Sequence, residues 1–366
     1  MSSVANALSF PARILRGPDA LSRLRAQIQP LGQRVFVIGG KQALAAAMPS
    51  LQVQLPVLAP GAAGVGIIEQ AWYGGEVTEA NIERLTRRAG ELAAQVILAV
   101  GGGKALDTAK VVAEQTRLPV VTLPTLAATC AAVSAVSVLY DEQGHYQGLY
   151  GLQRAPELVI LDPALIARAP LRWLSAGLGD TLAKFYEFRA IRSGVPDCSL
   201  NMAAYVQGQL CHEVIARYGA EACELVRRGA TGFALEQVID AIFVYAGFTS
   251  IMGVGDHVAA AHALYDGFTV LEKTRHFGHG LLVGFGNLCL LALEGRDDAE
   301  LLTAIALARE CGVPVCLAQI AVLDQGELRQ VAEAACGTPD MANMPFRVSA
   351  DTLVAAMVRV SRLAQS

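Results

Sequence analysis

The chain has 366 residues, a length that two domains accommodate better than one core. Its net charge of −4 argues against nucleic acid as a partner. Hydrophobic residues make up 53% and mean hydropathy is +0.41, yet apolar runs such as Val96–Val100 and Val120–Leu123 fall well short of the ~18 residues a bilayer span requires. The expectation is no membrane segment, with those runs read as strands buried on both faces. No basic segment followed by a long apolar one opens the sequence, which predicts a cytoplasmic chain. The eight cysteines include no C-x-x-C pair, and Cys311 and Cys316 are spaced for neither zinc nor redox work, so buried thiols are expected.

Short β-rich runs at Arg34–Gly39, Gln95–Val100, Val120–Pro124, Val136–Tyr140 and Leu158–Leu161 alternate with stretches of helical periodicity over Asn81–Leu92 and Ala105–Gln115. This alternation predicts a mostly parallel sheet covered by helices. After Asp162-Pro163 the β signals fade and Ala-, Leu- and Glu-rich segments of helical length run on. Two domains are therefore expected, an α/β domain over residues 1–162 and an all-α domain over 163–366.

Three segments carry chemistry. Gly101, Gly102 and Gly103 stand between a buried-strand run and the helical stretch opened by Lys104. Glycines there let a ligand approach the backbone, and N–H groups at a helix start bind anions. The pattern is neither G-x-G-x-x-G nor a P-loop, and taken alone a tight strand-to-helix turn explains it too. From Pro124 onward small and hydroxylated residues follow a strand end, including Thr125, Thr129, Cys130 and Ser134. Strand carboxyl ends are where ligands sit in open α/β sheets, although local capping would also use such residues. Finally, Asp180 follows Gly177 and Gly179 and reads as the opening of a helix, with Lys184 and Glu187 on its face. His262 lies in a small-residue run, and His279 follows His276 by three and precedes Gly280. Each alone has a bland reading as cap or packed histidine. Together one carboxylate and two imidazoles suit a divalent cation with an open coordination position.

The combined motifs Gly-Gly-Gly-Lys-x-Leu-Asp-Thr-Ala-Lys, Pro-Thr-x-Ala-Ala-Thr, Ser-x-x-Ser-Val-x-Tyr, Gly-x-x-Asp-Thr-Leu-Ala-Lys and Ala-Ala-Ala-His-Ala-x-x-Asp-Gly run collinearly from about residue 34 to 290. The chain in this respect resembles the metal-dependent (type III, iron-containing) alcohol dehydrogenases. Its glycerol dehydrogenase branch is most similar, and within it the bacterial hydroxycarboxylate (2-oxoacid) dehydrogenases. The resemblance implies an N-terminal Rossmann-like domain, an all-α C-terminal domain (a dehydroquinate synthase-like architecture), and an active site in the cleft between them. It implies Asp180, His262 and His279 as metal ligands. Gly102, Gly103, Lys104 and Asp107 would border the cofactor phosphates and ribose, and Thr125, Ser134, Val136 and Tyr140 the nicotinamide side. Homo-oligomers are common in the family.

Three departures refine the expectation. Iron-type members place a further histidine one turn after the aspartate, where this chain has Lys184, so zinc is favoured over iron. Where glycerol dehydrogenases carry an aspartate in the substrate pocket, this chain has Cys130; with that charge gone and Lys184 present, an anionic substrate is better tolerated. NAD-preferring members carry an acid after the first strand, where this chain has Gly39-Gly40-Lys41, favouring NADP(H) over NAD(H). The expected reaction is hydride transfer between NAD(P)H and a small 2-oxoacid, with NAD-dependent oxidation of glycerol or another polyol as the alternative. A lyase cycle of the dehydroquinate synthase kind and a non-enzymatic binding module rank below both. Tyr265 is a weaker candidate for a proton path, with packing as its default role, and His257 and His276 are expected to be structural or to support the ligands.

Overall fold

Val, Ile and Leu runs become strands because β-branched and apolar side chains suit a sheet covered on both faces. In the computed structural model, which describes residues 7–59, 61–253 and 257–365, the strands are β1 (Ile14–Arg16), β2 (Arg34–Gly39), β3 (Gly66–Trp72), β4 (Val96–Gly101), β5 (Val120–Pro124), β6 (Val136–Tyr140), β7 (Tyr146–Gly151) and β8 (Leu158–Leu161). Six of them form one parallel sheet in the order β1-β8-β5-β4-β2-β3. Strands β4, β5 and β8 are buried along their whole length. From β2 the chain passes to β3 on one side and then to β4 on the other. Such a reversal opens a crevice at the strand carboxyl ends, here between Gly39–Lys41 and Gly101–Gly103.

Both edges of the sheet escape the sequence reading. β1 has three residues, and β3 carries Glu69 and Gln70 on a half-buried strand. Val136–Tyr140 is a strand as expected, but it leaves the parallel sheet and pairs antiparallel with β7. The cause is local: Asp141 Oδ1 accepts from the N–H groups of Gln143 (2.9 Å) and His145 (2.8 Å), closing a tight turn.

The chain divides into two units, the first holding the residues up to Ala169 with Gly229–Thr231, the second Pro170–Arg228 with the residues from Gly232 on. The division falls one short helix later than position 163. Asp162 caps that helix, Pro163–Ile166, through Ala164 N–H, and also accepts from Leu21 N–H at 3.2 Å. The turn after the last strand is thus tied back into the first unit.

The second unit is helical. Its long helices include Leu171–Ile191, Ser199–Arg227, His279–Leu293 and Ala350–Leu363. Asp180 does not open a helix, contrary to the sequence reading. The helix begins at Leu171 behind Pro170, and Gly177 and Gly179 lie inside it. These glycines serve close packing instead of a start signal. A Cβ on Gly179 would stand 2.3 Å from Gly280 O, and one on Gly280 would stand 2.0 Å from Ala176 O. The Asp180 helix and the His279 helix therefore touch backbone to backbone, and Asn287 Nδ2 adds a bond to Gly179 O at 2.9 Å. One helical stretch, Phe233–Met252, is by length and composition apolar enough to cross a membrane, which short-run inspection had not picked out; 56% of its most apolar window is buried inside the protein. It is bound laterally to the Ser199–Arg227 helix, where Thr249 Oγ1 donates to Ala204 O and Cys211 Sγ to Ala241 O, as a core helix would be.

Replacing Gly280 with Ala forces these helices apart, at a cost of about 2 kcal/mol or more. Chemical denaturation should show a lowered midpoint for Gly280→Ala, whereas an unchanged midpoint would mean that the crossing has slack.

Candidate metal centre

The Asp180 helix delivers a carboxylate that is only 7% exposed. The helix Ala260–Thr269 delivers His262 from its first turn, and His279 is the first residue of His279–Leu293, entered through Gly278 at φ +123°. A non-glycine residue at that φ would be strained. Asp180 Oδ1 lies 3.3 Å from His279 Nε2 and 3.6 Å from His262 Nε2. The three ligand atoms fall within 4.8 Å of one another. The two imidazole rings are 5.4 Å apart, and Tyr265 meets His279 edge-on at 4.3 Å.

Glu187, two turns beyond Asp180, completes the arrangement. It is 1% exposed, and its Oε1 accepts from the backbone N–H groups of Ala259 (2.8 Å), Ala261 (3.0 Å) and His262 (3.0 Å). Its Oε2 takes His262 Nδ1 at 2.6 Å. One buried carboxylate thereby caps the N-terminus of the His262 helix and fixes its imidazole, leaving Nε2 toward Asp180. Sequence reasoning placed Glu187 on the right face without giving it this role; its spacing of seven from Asp180 was the available signal.

The electrostatics follow. Burial alone would raise the Asp180 pKa, but hydrogen bonds from His262 and His279, with help from the Lys184 charge, hold it far below the usual carboxylate range. Burial would raise Glu187 as well, and the His262 charge and hydrogen bonds outweigh it, so its pKa is lowered. Burial would lower His262, yet Glu187 and Asp180 push it up to about 10. Two ionised carboxylates and two imidazoles thus gather oxygen and nitrogen donor atoms at one place. That donor set fits a divalent cation of the zinc or iron kind. Lys184 is buried one turn after Asp180. His276 is exposed beside Glu272, and His257 lies against Gly253; neither belongs to the cluster.

In the first unit, Gly101 adopts φ +148° and Gly102 caps the helix Gly103–Thr116. Gly40 N–H donates to Val100 O and Thr125 N–H to Gly101 O, drawing the ends of β2, β4 and β5 together. Lys41 Nζ lies 4.1 Å above the Trp72 ring. Lys104 Nζ pairs with Glu76 at 2.5 Å and stands 4.7 Å over the Tyr140 ring. Cys130, half-buried, begins a short turn that Thr129 caps. Asp107, expected at the cofactor, is instead 6% exposed and turned inward. Its Oδ2 accepts from Val138 N–H at 3.2 Å, and its Oδ1 lies 2.9 Å from Lys110 Nζ. Lys110 in turn reaches Ser134 and the carbonyl of Val136. Sequence reading gave Lys110, the last residue of the glycine motif, no role of its own; its spacing of three from Asp107 on one helix face is a hint to the pairing.

Residues 11–163 match the family model of iron-containing alcohol dehydrogenases. The chain is similar to a glycerol dehydrogenase of Pseudomonas putida, with 35% identity covering 98% of both chains. It is 33% identical to hydroxycarboxylate dehydrogenase A of Escherichia coli K12 over 96% of both. The crystal structure of a probable glycerol dehydrogenase from Sinorhizobium meliloti matches it with a TM-score of 0.84 at 32% identity, over 99% of each chain. These similarities make the protein an oxidoreductase acting on CH–OH donors, and the chain belongs to the iron-containing alcohol dehydrogenase family.

Proposed function

We propose that this enzyme interconverts a small polyol and its carbonyl product with NAD(P)(H), at a divalent cation held by Asp180, His262 and His279. The observation that carries the reading is the convergence of those three ligand atoms in front of Glu187. The sequence favoured a 2-oxoacid as the main substrate. The similarity to glycerol dehydrogenases reverses that order. The 2-oxoacid remains as a second reading, supported by the hydroxycarboxylate dehydrogenase relative and by Cys130 and Lys184. Both substrate classes offer two adjacent oxygens.

When bound, the cation supplies Lewis-acid polarisation of the substrate oxygen and the nicotinamide supplies or accepts hydride. Asp180 contributes the charge that anchors the cation, and the two Nε2 atoms complete its protein ligands. Glu187 keeps His262 in the tautomer that presents Nε2. Tyr265 braces the His279 ring, which supports packing over proton transfer as its role. Lys184 offsets negative charge beside Asp180, and with no histidine at that position a three-ligand zinc site is favoured over iron. Gly102, Gly103 and Lys104 would meet the cofactor phosphates, and Thr125, Ser134, Val136 and Tyr140 the nicotinamide side. Lys41, at the end of β2 where no acid stands, favours NADP(H). None of the eight cysteines is in a disulfide, which suits a cytoplasmic enzyme, and the family habit points to a homo-oligomer.

Metal-loaded enzyme should oxidise glycerol or a related diol faster than it reduces 2-oxobutyrate or 2-oxoglutarate, and Asp180→Asn should lose both turnover and bound metal. The opposite rate order would restore the 2-oxoacid, and full activity in Asp180→Asn would remove the metal assignment. Glu187→Gln should weaken divalent-cation binding by about 10- to 100-fold in chelator competition. Because neutral imidazole is the ligand and His262 stays protonated up to about 10, cation affinity should tighten as pH rises toward that value. Lys41→Asp should shift the kcat/KM ratio from NADP toward NAD by about tenfold or more; an unchanged ratio would show that Lys41 does not read the 2′-phosphate.

A further inference from the structure

Lys110 is 1% exposed, and its ammonium group is surrounded by acceptors. Nζ donates to Ala131 O at 2.9 Å, Val136 O at 2.6 Å, and Ser134 O and Oγ at 3.2 Å each. Asp107 Oδ1 lies 2.9 Å away as its counter-charge and has no hydrogen-bond partner among the described residues, so this ion pair is its compensation. Five acceptor atoms thus compete for three ammonium protons. Burying a cation is expensive, and a buried ion pair often gives no more stability than an apolar pair of the same shape. Stability alone therefore does not account for a buried ion pair at this place.

What the pair does is geometric. The segment from Thr129 to Ala135 has only one short turn, Cys130–Ala132, of regular structure. Its path depends on side chains that hold its carbonyls. Thr122 Oγ1 holds Ala132 O at 2.8 Å, and Lys110 holds Ala131, Ser134 and Val136. Asp107 fixes the middle of β6 through Val138 N–H, and Ser137 Oγ donates to Asp107 O at 3.2 Å. The helix that begins at the glycine loop is thereby locked to the segment expected to face the nicotinamide.

We propose that Lys110 is a positioning residue for the nicotinamide end of the cofactor. It acts without touching the cofactor, by gathering the carbonyls of Ala131, Ser134 and Val136 onto one buried cation. The inference rests on the reading above that the stretch from Thr125 to Tyr140 borders the nicotinamide.

The test compares Lys110→Met, Lys110→Arg and the charge-free double variant Asp107→Asn/Lys110→Met with the wild-type enzyme. NADPH and NADH binding is followed by nicotinamide fluorescence. Binding of ADP-ribose and its 2′-phosphate, which lack the nicotinamide, is followed by calorimetry. Lys110→Met should weaken reduced-dinucleotide binding by about tenfold or more and abolish the fluorescence change on binding. Fragment affinity should stay within about twofold, and Lys110→Arg should recover part of the loss. Equal losses for dinucleotide and fragment, or no loss for either, would overturn the proposal. So would aggregation of every variant, which would assign Lys110 to fold stability alone. A wild-type enzyme that binds neither dinucleotide would overturn this inference and the proposed function together. Normal wild-type binding without the split in the variants would overturn this inference only.

Discussion

A single buried carboxylate organises the candidate centre. Glu187 spends one oxygen on three backbone N–H groups at the start of the His262 helix and the other on the His262 ring. These N–H groups would otherwise be unsatisfied inside the protein. Helix capping and imidazole orientation are consequently one interaction. The Ala-rich run around His262 has no side chain of its own that could cap it, which is why the cap comes from a residue 75 positions away in sequence.

The distance between the ligands depends on a different constraint. Asp180 and His279 face each other because the helices carrying them meet at Gly179 and Gly280 with no side chain between. Interiors are close-packed and transmit strain, so a methyl group at that crossing would move Asp180 away from His279. Hydrogen bonds and positive charge from His262, joined at Asp180 by His279 and Lys184, keep Asp180 and Glu187 ionised despite burial. Charge and spacing thus come from two devices, a helix crossing and a helix cap, both built on the Asp180 helix.

Much of this was legible in the residues. The interior strands, the glycine turn before Gly103–Thr116 and the helical second half follow from apolar runs and periodicity, because a doubly covered parallel sheet imposes those patterns strongly. Asp180, His262 and His279 were identifiable as a set, and the structure brings them together. What the sequence hid is instructive. Gly177 and Gly179 imitate the start of a helix, since glycine marks both a break and a close contact, and only the partner helix distinguishes the two. The edge strands β1 and β3 carry too weak an apolar signal to be seen. Asp107 reads as a ligand-facing acid in the motif but turns inward, because its neighbour Lys110 is buried and needs a counter-charge. Substrate preference was harder still: Cys130 and Lys184 argue for an anionic substrate by charge, whereas overall similarity leans toward polyols.

The decisive question is whether one cation is held jointly by three side chains from distant segments. Anomalous diffraction from crystals of the zinc-loaded protein answers it most directly. A single strong peak within about 2.3 Å of an Asp180 carboxylate oxygen, His262 Nε2 and His279 Nε2 is the expected result. A peak elsewhere, with those side chains bound to one another and not to metal, would contradict it.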